Sequence, residues 1–355
     1  MIIEIRALDT LFFRDGKPFT MGAETWANGI FPPAPSVLYG ALRSAYFAQH
    51  PEALAKVNSA DDPTAGLVIR GYYLKIGEFV HFLLPGDCVV WDKDGAKVAG
   101  TMALQPNEEL SSCPLPYMLA PAVQNRTESI EDGLLDDLTF EEYLDGFSTH
   151  YCFKKMHDYV LTEAKIGIAR SYDTRTTEES RLYRIGMRRL ESSLRRGRKT
   201  SAVSMVIDFS GMDLLREGII RLGGEGKAAL YQETTPYSIP KVLLQGRLFK
   251  LYLATPAIFE NGWVPGWIDS VTMTGTYNGV NMRLICAAIG KFHSLGGWDM
   301  DKCKPKPMRR AVPAGSVYYF ETETTPDLVL DVFHGQSISD YDAPQGFGIA
   351  YVGAV

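Results

Sequence analysis

This chain of 355 residues lacks most of the signatures that mark enzymes, metalloproteins and membrane proteins. No apolar run approaches the roughly 18 residues that span a bilayer. Its first residues, MIIEIRALDT, have no basic start, apolar h-region or small-residue cleavage site. A cytoplasmic protein with no membrane partner is the expectation. The five cysteines, Cys88, Cys113, Cys152, Cys286 and Cys303, are odd in number and scattered, with no CxxC pair. That pattern indicates neither a disulfide framework nor a zinc ribbon. There is no Walker-type glycine loop, no HExxH and no GxSxG, and no repeat at a fixed period. No cofactor is expected. His150, Cys152 and His157 come nearest to a metal site, but a structural zinc needs a fourth ligand and none stands nearby.

An excess of positive charge is missing as well, since the chain carries 42 acidic against 36 basic residues and a net charge of −6. The acids are unevenly spread. Between Pro106 and Asp145 ten of them (Glu108, Glu109, Glu128, Glu131, Asp132, Asp136, Asp137, Glu141, Glu142, Asp145) face Arg126 alone. Setting these aside leaves 32 acidic and 35 basic residues, a mildly basic remainder that suits a polyanionic partner. The acidic stretch carries proline, serine and short leucine clusters. It is expected to be an inserted, partly ordered surface element outside the core.

The length suits two domains. Residues 2–8 alternate as a half-buried strand does, with Ile3, Ile5 and Ala7 on one side. Asp15-Gly16 is a turn dipeptide that sets Arg14 and Lys17 on one loop, with Phe19 just beyond. Pro32, Pro33 and Pro35 then hold the chain extended. Ser36 is the expected cap of a helix that puts Val37, Leu38, Ala41, Leu42 and Ala45 on one face and Tyr39, Arg43 and Tyr46 on another. Such a polar face suits a phosphate held between two rings, or it is merely solvated.

Strand-like runs at 67–76 and 79–91, the latter broken at Pro85-Gly86, fill the first half. The run TTPYSIP, 234–240, marks a boundary and divides the chain into residues 1–238 and 239–355. After it come LFKLYLATPAIF, SVTMTGTY, NMRLICAAIG, SVYYFETE and the terminal GIAYVGAV, all strand-like. Two compact α+β units follow from this pattern.

Three places concentrate groups that suit RNA. Residues 181–199 hold eight cations, among them Arg184 and Arg188, on a segment that reads either as an amphipathic helix or as a twisted hairpin, given Gly186 and Gly197. In 302–316 prolines keep Lys304, Lys306, Arg309 and Arg310 extended, as suits a phosphate backbone. Gly346, Phe347 and Gly348 precede the last strand, where converging backbone N–H groups and a free ring would serve a phosphodiester and a base. A bulge or tight turn into the strand is the alternative.

The chain resembles the third-subunit family of the Cmr complex, part of the RAMP superfamily in type III-B CRISPR effectors. The resemblance runs through LFFRDGKPF (11–19), FPPAPSVLYGALRS (31–44), KIGIARSYDTRTTEESRLY (165–183), RLGGEGK (221–227), RRAVPAGSVYYFE (309–321) and QGFG (345–348). It implies two tandem ferredoxin-like, RRM-related domains in a non-catalytic RNA-binding subunit. Its partners would be the 5′ handle of CRISPR RNA, the large polymerase-like Cmr subunit and adjacent RAMP backbone subunits. Within the matching motifs Arg14, Lys17, Phe19, Arg43, Arg170, Arg175 and Phe347 have the chemistry a single-stranded handle needs. Related RAMP proteins cut precursor RNA without metal. Under that alternative His50 or His334 would be the general base.

Overall fold

Ile3 and Ile5, the alternating apolar residues of the first strand, are fully buried and start the eight-stranded sheet, the larger of the two main sheets. The computed structural model describes residues 1–14, 26–27, 29–108, 113–191, 201–299 and 304–355, and the side chains of these except 26, 27, 169, 177–183, 298 and 299. From the amino terminus the principal elements are β1 (Ile2–Ala7), α1 (Pro35–Gln49), β2 (Val68–Ile76), β3 (Phe79–Leu83), β4 (Gly133–Asp136), α2 (Asp137–Asp145) and β5 (Lys154–Lys155). Next come β6 (Val160–Arg170), β7 (Thr177–Leu190), β8 (Val203–Ser210), β9 (Glu217–Arg221) and β10 (Ala228–Glu233). The second half has β11 (Leu248–Leu253), β12 (Thr274–Tyr277), β13 (Val280–Ala288), β14 (Arg309–Ala311), β15 (Val317–Thr322), α3 (Pro326–Phe333), β16 (Gln336–Ser337) and β17 (Ile349–Gly353).

The first sheet has the order β5-β4-β3-β2-β8-β1-β10-β9, and the second β12-β13-β15-β11-β17-β16. Their central strands, β2-β8-β1-β10 and β13-β15-β11-β17, follow one order with antiparallel pairing throughout. The first unit sets α1 between its first two central strands, and the second sets α3 between its last two. This is a mixed, strand-rich α/β architecture. Among the described residues no helix is long and apolar enough to cross a membrane.

Leu38, Ala41 and Leu42 of α1 pack on Ile3, Ile5, Met205 and Ile207, so the expected helical stripe faces one side of the first sheet. The other side of β2, β3 and β8 offers Tyr73, Phe82 and Val206, which join Phe140, Tyr252 and Tyr351 in a cluster shared with the second sheet. The Tyr73 and Tyr351 hydroxyls lie 2.8 Å apart, and Phe82 stacks on Phe140 at 4.0 Å between centroids. At the same seam the fully buried Asp87 accepts hydrogen bonds from the hydroxyls of Tyr143 and Tyr319. The buried Lys250 ammonium sits 3.6 Å over the Tyr143 ring. Its desolvation by burial exceeds the attraction of Asp87, so its pKa is lowered.

Two local expectations are corrected, and a third, left open, is decided. Helix α1 starts two residues earlier than the serine suggests, with Ala34 as cap and Pro35 in its first turn, where proline's missing N–H costs nothing. The acidic stretch is not confined to the surface. It supplies β4 and α2, whose Leu135, Phe140, Tyr143 and Leu144 are all 0% exposed. Phe140, Tyr143 and Leu144 sit at helical spacing beneath the acids, and burying a large apolar side chain stabilises the fold by about 1.5–3 kcal/mol. Of the helix and hairpin readings of the basic segment, the described part is a strand: residues 177–190 form β7, paired with β6 in a long hairpin. Ile185 and Met187 are buried while Arg184 is exposed, an alternation of period two.

Candidate nucleic-acid interface

The motif LFFR leaves β1 and becomes a junction of four segments. Leu11 exchanges backbone hydrogen bonds with Arg188 (2.8 and 2.7 Å), Phe13 accepts from the Ile30 N–H (2.8 Å), and Phe12 accepts from the Gly224 N–H (2.8 Å). Phe12 and Phe13 are buried, and Arg14, bridged to Gly29, is exposed. Gly29 is required here, because a Cβ would collide with the Gly186 carbonyl oxygen. Pieces of the motifs LFFRDGKPF and RLGGEGK thus close on one another and on the β7 strand. Lys17 and Phe19 lie outside the described residues.

From this junction the β6–β7 hairpin extends to a turn at 171–176. Arg170 and Arg175 stand at that turn, exposed, with Arg175 at φ +56° and Tyr172 96% exposed between them. Neither arginine is ion-paired among the described residues, so the tip offers two cations and a ring to solvent. Ile166 (58%) and Ile168 (53%) are exposed along β6. Arg188 is different. Its guanidinium donates to the Gly29 carbonyl and to Thr162 Oγ1 (2.5 Å), clamping the hairpin base, and half-burial lowers its pKa. It is a structural arginine here, not a free phosphate ligand.

The second cationic surface lies on the short strand β14. Arg309 stacks 3.9 Å over the Tyr341 ring and Arg310 stacks 4.7 Å over Phe292. Both guanidiniums are exposed and neither is ion-paired among the described residues. Stacking fixes each plane and leaves its outer face open, the arrangement a nucleobase or phosphate uses. Beside Arg310 is a cavity of about 520 Å³, lined by Trp263, Ile289, Phe292 and Pro313 among others, mostly apolar but with the cations Lys291 and Arg310 in its lining. Lys304 and Lys306 are exposed on the segment leading into β14.

The glycine-bearing loop does not serve as expected. Phe347 is 2% exposed, packed with Ile258, Leu295 and Ala311, and against Ala34 and Tyr341. It cannot stack on a base from there. The Gly346 and Gly348 N–H groups are already donated to Ala343 and Pro256 carbonyls, so they form no anion nest. Gly346, at φ +93°, brings the loop so close to β2 that a Cβ would lie 2.8 Å from Ile69 Cγ2. The loop is a joint. Its Phe347 belongs to the cluster against which both Tyr341 and Ala34, the cap of α1, pack.

Arg43 is likewise engaged inside the molecule, with Asp62 (2.6 Å), Thr64 (2.8 Å) and Asn58 (3.1 Å). Burial pushes the Asp62 carboxyl up, but hydrogen bonds from Thr64 and Asn58 and the Arg43 charge outweigh it and hold the pKa below its ordinary value. His334 is buried, with Nε2 donating to the Ile239 carbonyl (3.0 Å) and Nδ1 accepting from the Val352 N–H (3.3 Å). His50 stacks on Tyr46 and lies 3.4 Å from Glu52. Tyr172, Tyr341, Phe292, Trp263 and Lys291 escaped the sequence reading. Tyr172 beside Arg170 and Tyr341 near Gly346 could have been found from sequence proximity, whereas Phe292, Trp263 and Lys291 reach Arg310 only through the fold.

No curated protein sequence matches this one. Among solved structures, a chain of the cryo-EM structure of the Type III-B Cmr-beta bound to cognate target RNA and AMPPnP is similar at 17% identity. The match covers 93% of this chain and 92% of that one, with a TM-score of 0.54. A chain of the same Cmr-beta bound to cognate target RNA matches with equal identity and TM-score over 93% of this chain and 89% of that one. These likenesses show a shared fold. The model of the family described as CRISPR-associated protein (Cas_Cmr3) matches residues 3–354, and with the motifs converging as they do, the chain belongs to that family.

Proposed function

We propose that this chain is a non-catalytic RNA-anchoring subunit of a type III-B CRISPR effector, gripping the 5′ handle of CRISPR RNA. Its partners on this reading are the large polymerase-like subunit and adjacent RAMP backbone subunits, in the cytoplasm. The observation that carries it is the pair Arg309 on Tyr341 and Arg310 on Phe292, two oriented cations free of carboxylate partners among the described residues. The cavity beside Arg310 supports it by offering an apolar slot for an unstacked base next to cations for its phosphate. Arg14 and the hairpin-tip residues Arg170, Tyr172 and Arg175 are further exposed groups with the chemistry the same ligand needs. Arg184 belongs to the same hairpin.

The non-catalytic reading is supported by one of the two histidines that a metal-free ribonuclease would use. His334 has both ring nitrogens committed to backbone groups, which leaves no free base there. The two central strand orders support reading the halves, 1–238 and 239–355, as ferredoxin-like units that each keep one of two helices. The test is binding of handle-containing RNA to the assembled effector as salt is raised. Affinity falling linearly on logarithmic axes, with a shallower slope in the Arg309→Ala/Arg310→Ala double variant, is expected. An identical slope in both removes β14 from the interface.

A further inference from the structure

Strand β9 is the last in the first sheet and has no neighbour on its outer side among the described residues. Its ladder to β10 includes the flanking bonds from Glu233 N–H to Arg216 O and from Leu222 N–H to Lys227 O. Antiparallel pairing alternates, so residues 216, 218, 220 and 222 bond inward while Glu217, Ile219 and Arg221 direct their N–H and C=O groups outward. The side chains of those same three residues lie on the sheet face opposite α1. That face is uncovered here: Ile219 is 65% exposed, its cross-strand neighbour Leu230 46%, and Leu8 56%, whereas Ile220 and Ala229 behind them are buried under α1. An exposed apolar edge with open backbone groups is a template for another strand.

The occupant is indicated by the edge's own symmetry. Placed antiparallel against a second β9 and centred on Ile219, the strand sets Glu217 opposite Arg221 of the other copy, and Arg221 opposite its Glu217. The outward groups of all three residues then find partners, and Leu230, Ile219 and their two counterparts form one apolar band across the seam. A polyanion gains little here. Arg6 on this face is already paired with Glu4 at 2.8 Å, Glu217 balances Arg221, and no aromatic ring is present. We propose that two copies of the free chain associate through β9 by a two-fold, strand-to-strand contact that caps this edge before assembly into a larger complex. Such an isologous contact requires residue i to meet j while j meets i, which the 217/221 pair satisfies.

Dimerisation through β9 does not depend on RNA binding and is tested on the isolated 355-residue chain. Sedimentation velocity over a concentration series is expected to show a monomer–dimer equilibrium. Glu217→Arg and Arg221→Glu should each weaken dimerisation roughly tenfold, since each puts like charges opposite at two symmetric positions. The double swap Glu217→Arg/Arg221→Glu should restore it, because only self-pairing regenerates both pairs. Ile219→Pro removes an outward donor without touching the ladder to β10. It should be monomeric with an unchanged circular dichroism spectrum. Amide exchange at Glu217, Ile219 and Arg221 should slow with rising concentration. A chain that stays monomeric throughout, a double swap as defective as the single ones, or protection of these amides only when another protein subunit or RNA is added would each overturn the proposal.

Discussion

The Arg43 guanidinium lies 2.6 Å from the Asp62 carboxylate, whose side chain is only 4% exposed. The pair ties helix α1 to the loop at 58–64, and Thr64 and Asn58 complete the network. Arg43→Ala leaves a buried carboxylate without its cation and should destabilise the chain by about 1–3 kcal/mol. RNA affinity of the folded protein should stay within about twofold of the parent, because the group faces inward. Chemical denaturation alongside RNA titration separates the two effects. A stable variant with weakened RNA binding would put Arg43 back in the interface.

Arg309 and Arg310 give the opposite pattern. Both are exposed, so alanine substitutions should leave the unfolding midpoint unchanged, while each should reduce RNA affinity by about 1–3 kcal/mol. Arg309→Lys keeps the charge and loses the planar stack on Tyr341, so it should recover only part of the loss. Filter binding at fixed salt measures this. Full recovery by lysine would mean that charge alone matters there.

A pH dependence follows from His81. The ring is buried, its Nδ1 donates to the Phe79 carbonyl, and its Nε2 accepts from Lys154 at 2.9 Å. Burial, and then the Lys154 charge, hold its pKa down to about 4. The unfolded chain therefore binds a proton that the folded chain refuses. Stability is full above about pH 6.5 and declines as pH falls toward 4, by at most about 3 kcal/mol from this group. Urea midpoints across that interval should drop with acid in the parent and drop less in His81→Gln. Equal slopes in both would show that His81 is not the titrating group.

Gly346→Ala tests the joint beneath Tyr341. The added methyl group meets Ile69 at 2.8 Å on a backbone held at φ +93°, so a loss of about 1–3 kcal/mol is expected. Because the loop seats Tyr341, RNA affinity should weaken as well, by a smaller factor than in Arg309→Ala. Thermal melting and RNA titration on the one variant check both parts.

Much of the framework was legible because strands announce themselves by alternation and flanking turns. The runs at 2–8, 67–76 and 79–91 and the terminal strand lie where the pattern puts them, and α1 buries the stripe read from its spacing. The acidic stretch misled because charge outnumbers the few apolar positions that matter: Phe140, Tyr143 and Leu144 occupy one helical face while the acids take the others. Phe347 has the composition of a stacking ring and the burial of a core residue, and nothing local distinguishes the two. Arg43 and Arg188 illustrate the same limit. An arginine's partner is set by tertiary approach, here of Asp62 and of the Gly29 carbonyl, and neither is near it in sequence.

The central claim is that oriented arginines on β14 hold unpaired ribonucleotides. Its most direct test is a photo-crosslinking amino acid placed singly at Phe292, at Tyr172 and, as a control on the remote sheet face, at Ile219, in the assembled effector carrying handle-labelled RNA. All three positions are exposed enough to accept it. Crosslinks to handle nucleotides from Phe292 and Tyr172, with none from Ile219, are the predicted result. Silence at Phe292 together with labelling through Ile219 would contradict the account.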